Sequence, residues 1–181
     1  MAEFALPTER LTLRGWRDAD HPALLALCTD AAVMEFLGPP QTAEQVQDAI
    51  DRQRGFQAEH GYCFWVVERR EDGAFLGFCG LKPGPAGTPL EGRIEIGWRF
   101  RADSWGRGYA KEAALASLAW GFANSDAPDI RAMTVLANTR GWGLMERLGM
   151  VRQPDLDFDH PAEAPDSPLR RHVTYSIARR P

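Results

Sequence analysis

The sequence has few of the features that assign a chain to a membrane, secreted or nucleic-acid-binding class. No run approaches the roughly 18 uninterrupted apolar residues of a membrane span, and the first ten residues, MAEFALPTER, lack the apolar core of a signal peptide. Lys and Arg number 21 against 25 Asp and Glu, for a net charge of −4, which argues against duplex nucleic acid as a partner. We therefore expect a cytoplasmic protein that binds neither a membrane nor a nucleic acid.

Cysteine is also scarce, and its spacing argues against a disulfide framework. Cys28, Cys63 and Cys79 are an odd set without a CxxC pair, and two of them lie in the apolar runs YCFWVV and LGFCGL. This pattern indicates buried free thiols in a reducing compartment. A catalytic cysteine is the alternative, and it requires a base close in space.

The acidic segment near the C-terminus does not match the sequence pattern of a metal site. Asp155, Asp157 and Asp159 have the spacing of an EF-hand loop, but His160 and Asp166 stand where that loop needs Gly and Glu. We predict no bound metal and interpret the segment as a solvated loop, with attraction of a cationic amine as the alternative.

The composition that remains is that of an ordinary globular protein, with 44% apolar and 25% charged residues. The 17 Gly and 13 Pro are too few and too dispersed for a collagen-like or low-complexity chain. We expect the whole chain, 1–181, to fold as one domain around a single core.

Strand-like and helix-like patterns alternate along the chain. Residue types predict strands over 10–14, 62–68, 74–81, 93–100, 130–137 and 172–177. Helices are predicted over 22–28, 42–57, 109–123 and 138–149, and loops over 82–92 and 152–170. In the third helix, the core-facing stripe is predicted at Leu115, Leu118, Ala119 and Phe122. This order predicts a mixed α/β sheet with helices on both faces.

The strongest chemical signal is the turn after strand 93–100, where Trp105-Gly-Arg-Gly-Tyr-Ala110 opens a helix. Glycine permits positive φ and close approach of a ligand to the backbone. The unpaired N–H groups of a first helical turn attract anions, and Arg107 adds a charge. The pattern indicates an anion site, although an ordinary strand-to-helix turn has the same spelling. It is neither a Walker loop nor a full GxGxxG motif, since Lys111 stands at the third glycine.

The same turn resembles the Q/R-x-x-G-x-G/A signature of the GCN5-related N-acetyltransferases (GNAT), with Trp105 in place of the usual first Gln or Arg. The string EIGWRF…SWGRGYAKEA resembles the branch of the ribosomal-protein N-terminal acetyltransferases, the Rim type. Residues 138–150, NTRGWGLMERLGM, resemble that branch's N-x-x-S…M-E-x-L-G-M segment, and TERLTLR, GFCGL, DFDHP and HVTYSI also fit it. The resemblance spans nearly the whole chain in the right order.

The resemblance implies a single GNAT domain with a strongly twisted, mixed, mostly antiparallel sheet. Its two central strands, 93–100 and 130–137, would splay apart to admit acetyl-CoA. The pantetheine arm would pair with backbone near Trp98 to Phe100 and contact the Asn138 side chain, which equally fits a plain helix N-cap. The pyrophosphate would bind the amides of the glycine turn. The implied cofactor-binding residues are Trp98, Phe100, Trp105, Gly106, Arg107, Gly108, Tyr109, Ala110 and Asn138.

The resemblance also implies an enzyme, an acetyl-CoA-dependent N-acetyltransferase in which a deprotonated primary amine attacks the thioester while both substrates are bound. Glu95 is the candidate base, acting directly or through water, because it lies on the polar face of its strand and the branch often has an acidic residue there. A structural ion pair with Arg93 or Arg99 is the alternative reading of Glu95.

The usual positions of the general acid hold Met145 and Gly141. A CoA thiol with a pKa of about 8.5, by analogy with cysteine, is a fair leaving group without a dedicated acid. Tyr175 is the substitute considered, although tyrosines in strands are usually core residues.

The sequence leaves the acceptor open, because a small-molecule amine and a protein N-terminus both fit, and a homodimer is compatible with the sequence. The absent acid residues leave a second function, a non-catalytic acyl-CoA-binding or regulatory module on the same fold. A nucleotide-binding protein that uses the glycine turn is the third alternative.

Overall fold

A computed structural model describes residues 4–179, so the first three residues of the segment MAEFALPTER lie outside the described part. Its strands are β1 (Ala5–Pro7), β2 (Leu11–Arg14), β3 (Phe64–Arg69), β4 (Phe75–Pro83), β5 (Ile94–Phe100), β6 (Asp129–Val135), β7 (Val151–Arg152), β8 (Phe158–Asp159) and β9 (Arg171–Ala178). Its helices are α1 (His21–Thr29), α2 (Ala31–Met34), α3 (Ala43–His60), α4 (Tyr109–Asn124) and α5 (Thr139–Arg147).

The described strands form one nine-stranded sheet in the order β1-β2-β3-β4-β5-β6-β9-β7, with β8 paired to β9. Neighbours run antiparallel except β5 and β6, which are parallel. Helices cover both faces. Ser117 of α4 lies 3.8 Å from Cys79 Sγ, and Cys79 is paired with Trp98. The next residue, Arg99, projects to the opposite face and reaches Cys28 of α1. The predicted mixed α/β sheet is confirmed.

Local sequence signals account for where elements begin and turn. Thr42 and Gln45 form a reciprocal capping box at the start of α3, with the Gln45 N–H donating to Thr42 Oγ1 and the Thr42 N–H donating to Gln45 Oε1. The Asp72-Gly73 turn joins β3 to β4, and its Asp72 Oδ1 accepts from the Ala74 N–H at 3.2 Å. These short-range bonds explain why the predicted boundaries lie close to the observed ones.

The predicted core stripe of α4 is wrong in part. Leu115 is 46% exposed, whereas Leu118 is buried, and the other residues of the buried face are mainly small: Ala113, Ala114, Ser117 and Gly121. The helix lies so close to the sheet that a Cβ on Gly121 would stand 2.6 Å from Leu81 Cδ1. Because α4 packs closely on the sheet, the helix face with small residues is buried and the face with Leu115 is not.

The core lies along the central strands, where Trp65, Leu81 and Ile130 are fully buried. The three cysteines are buried free thiols, as predicted. Over residues 4–179, no helix combines the length and apolar character needed to cross a bilayer.

Candidate active site

The parallel pair at the centre of the sheet separates after two residues. Ile94 pairs with Ile130 and Glu95 with Arg131. Beyond these two pairs, β5 continues to Phe100 and β6 to Val135 without pairing with each other. A cavity of about 680 Å³ lies at the end where the strands diverge, and residues of β5, α2, α4 and α5 line it. Within residues 4–179, the side of β5 that faces this gap has no strand beside it and offers hydrogen-bonding groups to a ligand, whereas its other side pairs with β4.

The glycine turn forms one wall of this cavity. Gly106 and Gly108 have φ values of +73° and +81°, which favour glycine, and Gly108 is the N-cap of α4. Among the residues that the structure describes, no side chain caps that end, so the first N–H groups of α4 are available to a ligand. The adjacent lining residues Tyr109 and Ala110 place this helix terminus at the cavity. The positive φ values of the two glycines and the helix that this turn opens are thus present, as the sequence predicts.

Arg10 contacts the turn from outside the cavity, a role that neither a motif nor periodicity indicates. Its Nη1 donates to the carbonyl oxygen of Arg107 at 3.0 Å, and its Nε donates to Glu112 Oε2 at 2.7 Å. The same guanidinium lies 4.7 Å from the centre of the Tyr109 ring. Three contacts therefore join the start of β2 to the turn and the first residues of α4.

The wall is basic although the protein is acidic. Its charged lining residues are all cations: Arg99, Lys111, Arg140 and Arg147. Arg140 spans the rim, since its guanidinium lies 4.3 Å from the Trp105 ring centre and its Nη2 pairs with Glu35 at 3.1 Å. The cluster favours an anionic ligand.

Asn138 begins α5 at the opposite wall, and both of its side-chain polar atoms have partners. Its Oδ1 accepts from the Gly141 N–H at 3.0 Å, and its Nδ2 donates to Thr134 Oγ1 at 3.0 Å. A Cβ on Gly141 would stand 2.5 Å from Nδ2, so a serine there would clash with this N-cap. The N-cap interpretation is confirmed, and each polar atom retains one further hydrogen-bonding capacity for a ligand.

Glu95 lies outside the residues that line the cavity, on the same face of β5 as Arg99. It is 7% exposed, and its Oε2 lies 2.5 Å from Lys82 Nζ. Burial raises the pKa of Glu95, and the Lys82 ammonium partly opposes this. The alternative interpretation of Glu95, a structural ion pair with Arg93 or Arg99, is wrong in its partner, because Arg93 pairs with Asp129 and Lys82 is the residue opposite Glu95 in the sheet.

The structure brings together most of the predicted cofactor-binding residues around one cavity: Trp98, Phe100, Trp105, Gly106, Gly108, Tyr109, Ala110 and Asn138. Arg107 lies outside that lining. Tyr175 is 5% exposed and its hydroxyl lies 3.3 Å from Glu146 Oε1, so it occupies a core position rather than the cavity. Met145 is also buried in the core.

Comparison with known proteins agrees with this geometry. The family model described as Acetyltransferase (GNAT) domain matches residues 10–151. The uncharacterized protein YkkB of Bacillus subtilis is 30% identical over 82% of this chain and 86% of its own length. The uncharacterized N-acetyltransferase YnaD of the same organism is 29% identical over 82% of this chain and 83% of its own length.

Among solved structures, the ribosomal L7/L12 alpha-N-protein acetyltransferase RimL in complex with coenzyme A superposes with a TM-score of 0.77 at 14% identity. That superposition covers 97% of this chain and 98% of RimL. At this level of identity the similarity shows the fold alone.

Proposed function

Because the chain belongs to the GNAT acetyltransferase family, we propose that it is an acetyl-CoA-dependent N-acetyltransferase. Acetyl-CoA supplies the acetyl group as an activated thioester, and a primary amine bound at the same time is the acceptor. Transfer is a direct attack: the amine nitrogen forms the new amide bond, the carbon–sulfur bond breaks, and the amine loses one proton.

The proposal is supported mainly by one observation: a basic cavity lies where the strands β5 and β6 separate. An uncapped helix terminus, two glycines with positive φ and three cations, Lys111, Arg140 and Arg147, line this cavity. This donor set fits the pyrophosphate and phosphate groups of CoA. The amides from Trp105 to Ala110 are the proposed pyrophosphate site, with Lys111 and Arg140 as neighbouring cations.

The proposed pantetheine site lies deeper in the same gap. The backbone of Trp98 to Phe100 offers groups free of a β6 partner, and Asn138, the N-cap of α5, lines the same cavity. The carbonyl of Phe100 already accepts from Trp105 Nε1 at 2.9 Å, which fixes the indole ring at the cavity. These residues bind and orient the thioester without contributing a proton.

We assign the proton transfer to Glu95, acting through water. At neutral pH a typical amine is mostly ammonium, so a base is needed before attack. A raised pKa brings the carboxylate closer to neutral basicity, which improves its efficiency as a base. The CoA thiolate, with a pKa of about 8.5, departs without a dedicated acid.

The proposal is tested by incubating the protein with acetyl-CoA and a panel of primary amines that includes amino acids, polyamines and short peptides. Free thiol release and the mass of the product are followed together, and CoA binding is measured by calorimetry. We expect amine-dependent thiol release with formation of an acetylated amine. Absence of CoA binding would exclude the proposed function.

A non-catalytic acyl-CoA-binding module is the second candidate, favoured by one observation. The two usual acid positions offer no hydroxyl, since Met145 is a core residue and Gly141 has no side chain. The same experiment separates the two functions. Tight CoA binding without turnover of any amine favours the module.

A further inference from the structure

Arg99 is a cation without an anionic partner at the edge of the candidate active site. Across residues 4–179, no carboxylate oxygen lies within 4.0 Å of its guanidinium. Its Nη1 donates to Cys28 Sγ at 3.0 Å, and its guanidinium centre lies 5.4 Å from the Phe78 ring centre. Its Nε is buried and has no hydrogen-bond partner in the described part of the chain. By contrast, Arg14, which is also buried in the sheet, binds two carboxylates.

The contact with Cys28 does not neutralise this charge. Burial raises the pKa of the Cys28 thiol, and the nearby Arg99 guanidinium only partly opposes the effect. The sulfur is therefore a neutral thiol at pH 7, and a thiol is a weak acceptor. An uncompensated guanidinium in a partly buried setting is energetically costly unless a ligand supplies the counter-charge.

The position of Arg99 separates it from the proposed pyrophosphate site. Arg99 projects from β5 toward α1, whereas the glycine turn leads into α4, which packs on the other face through Ser117 and Cys79. The cavity is lined from both sides of the gap between β5 and β6. Two anion-binding groups on opposite faces indicate two different anionic ligands.

The wall nearest α1 is otherwise apolar. It consists of Ala32, Val33, Phe36 and Leu37, which belong to α2 and the residues that follow it. A single cation beside an apolar wall fits a small ligand with one carboxylate and an apolar substituent.

We propose that Arg99 binds a carboxylate of the acceptor, so that the acceptor is an amino acid or a similarly short amino-carboxylic acid with an apolar side chain. This inference rests on the proposed function. Gly97 and Arg99 share one face of β5 with Cα atoms about 6.6 Å apart. The Phe64 ring covers Gly97 on that face, so the amine of a ligand held by Arg99 lies in the cavity lined by Trp98, Arg99 and Phe100 rather than beside Gly97.

The test compares each amino acid with its own amide, which keeps the amine and removes the carboxylate. Initial rates with acetyl-CoA give kcat/KM for every pair, and calorimetry on the CoA-saturated protein gives Kd for the same ligands. We expect at least one apolar amino acid to be preferred over its amide by about tenfold or more. In Arg99→Met that preference disappears, while the Kd for CoA alone stays unchanged.

Arg101→Met is the matched control, since Arg101 lies two residues further on but already pairs with Asp103. It should keep the preference for the carboxylate. The inference is overturned if no amino acid is bound or acetylated in preference to its amide, or if Arg99→Met retains the preference. With either result, acetylation of other amines would still support the proposed function. If the wild-type protein does not bind CoA, the proposed function itself is wrong.

Discussion

The Lys82 ammonium lies 2.5 Å from the Glu95 carboxylate, and the two residues face each other in the register of β4 and β5. Both side chains are largely buried in the protein. This pair has two opposite effects on a proposed base. Lys82 holds Glu95 in one orientation and favours its ionised form, whereas burial favours the protonated form and raises the pKa.

Replacement of Glu95 by glutamine should lower kcat by about 10²-fold with little change in the Kd for CoA, because the amide keeps the shape but accepts no proton. In the wild-type protein, kcat should fall as the pH decreases through a value above the ordinary carboxyl pKa. Steady-state rates across pH and CoA calorimetry provide the measurements. Glu91→Gln, in the exposed loop before β5, is the control. An unchanged kcat in Glu95→Gln would remove Glu95 from the mechanism.

Gly108→Val should weaken CoA binding, since valine at a φ of +81° strains the turn and its branched side chain obstructs the N-terminus of α4. Gly61→Val is the matched control. Gly61 has a φ of +80° and ends α3, outside the cavity lining, so it carries the same backbone strain. Both variants should lose stability, but calorimetry should show a higher Kd for CoA only in Gly108→Val. Equal CoA affinity in the two variants would disprove the anion-site assignment.

Arg10→Met should raise the Kd for CoA several-fold without a change in kcat, because Arg10 positions the Arg107 carbonyl and touches no reacting atom. Arg70→Met serves for comparison, since Arg70 donates to the Thr8 carbonyl of the same segment at 2.7 Å but does not reach the turn. A similar loss of CoA affinity in both variants would indicate that the segment is anchored as a whole and that Arg10 has no special part.

The glycine turn and the N-cap of α5 were predictable from sequence because their geometry depends on neighbouring residues. Positive φ at Gly106 and Gly108 and the bond from Gly141 to Asn138 involve positions at most three apart. The partner of Glu95 was not predictable in this way. It follows from the register of β4 against β5, which the Gly- and Pro-rich loop between them sets. The very short strands β7, at the start of the predicted loop 152–170, and β8, inside that loop, likewise exist only through pairing with β9.

The charge of the cavity wall was missed for a related reason. Alternation along strand 93–100 places Arg99 on one face, but it does not reveal that α1 presents a thiol there instead of a carboxylate. Arg140 and Arg147 lie on one helix, seven residues apart. They line the same cavity as Arg99 and Lys111 because β5 and β6 separate there. Tertiary assembly, rather than any local motif, creates this basic surface.

The burial pattern of α4 makes a prediction about two leucines three residues apart. Leu118→Ala should cost about 2–5 kcal/mol of unfolding free energy, since this side chain is 4% exposed and its loss leaves a cavity. Leu115→Ala should change stability by about 0.5 kcal/mol or less, because Leu115 is 46% exposed. Urea unfolding of both variants measures the difference. Equal losses of unfolding free energy in the two variants would support the core-facing stripe that periodicity predicts.

The buried ion pair between Arg14 and Asp20 should dominate the acid sensitivity of the fold. Arg14 Nη1 and Nη2 donate to the two Asp20 oxygens at 2.8 and 2.7 Å, and both side chains are at most 7% exposed. Burial alone raises the pKa of Asp20, but the hydrogen bonds from Arg14 and the Arg17 N–H outweigh it and hold the pKa below its usual value. The stability from this carboxylate is therefore present above its ordinary pKa of 3.8 and is lost as the pH falls through the lower folded value.

Asp20→Asn should consequently cost about 3–5 kcal/mol at pH 7, because it leaves a buried guanidinium with Glu68 as its remaining carboxylate. Asp18→Asn is the control, since Asp18 pairs with Arg54 but its side chain is 92% exposed, and its cost should be small. Urea unfolding at pH 7 and near pH 3 measures both variants. The difference in unfolding free energy between wild type and Asp20→Asn should narrow at the lower pH, because near pH 3 this carboxylate binds a proton in the unfolded wild-type chain. A gap that stays constant with pH would show that Asp20 contributes through packing rather than through its charge.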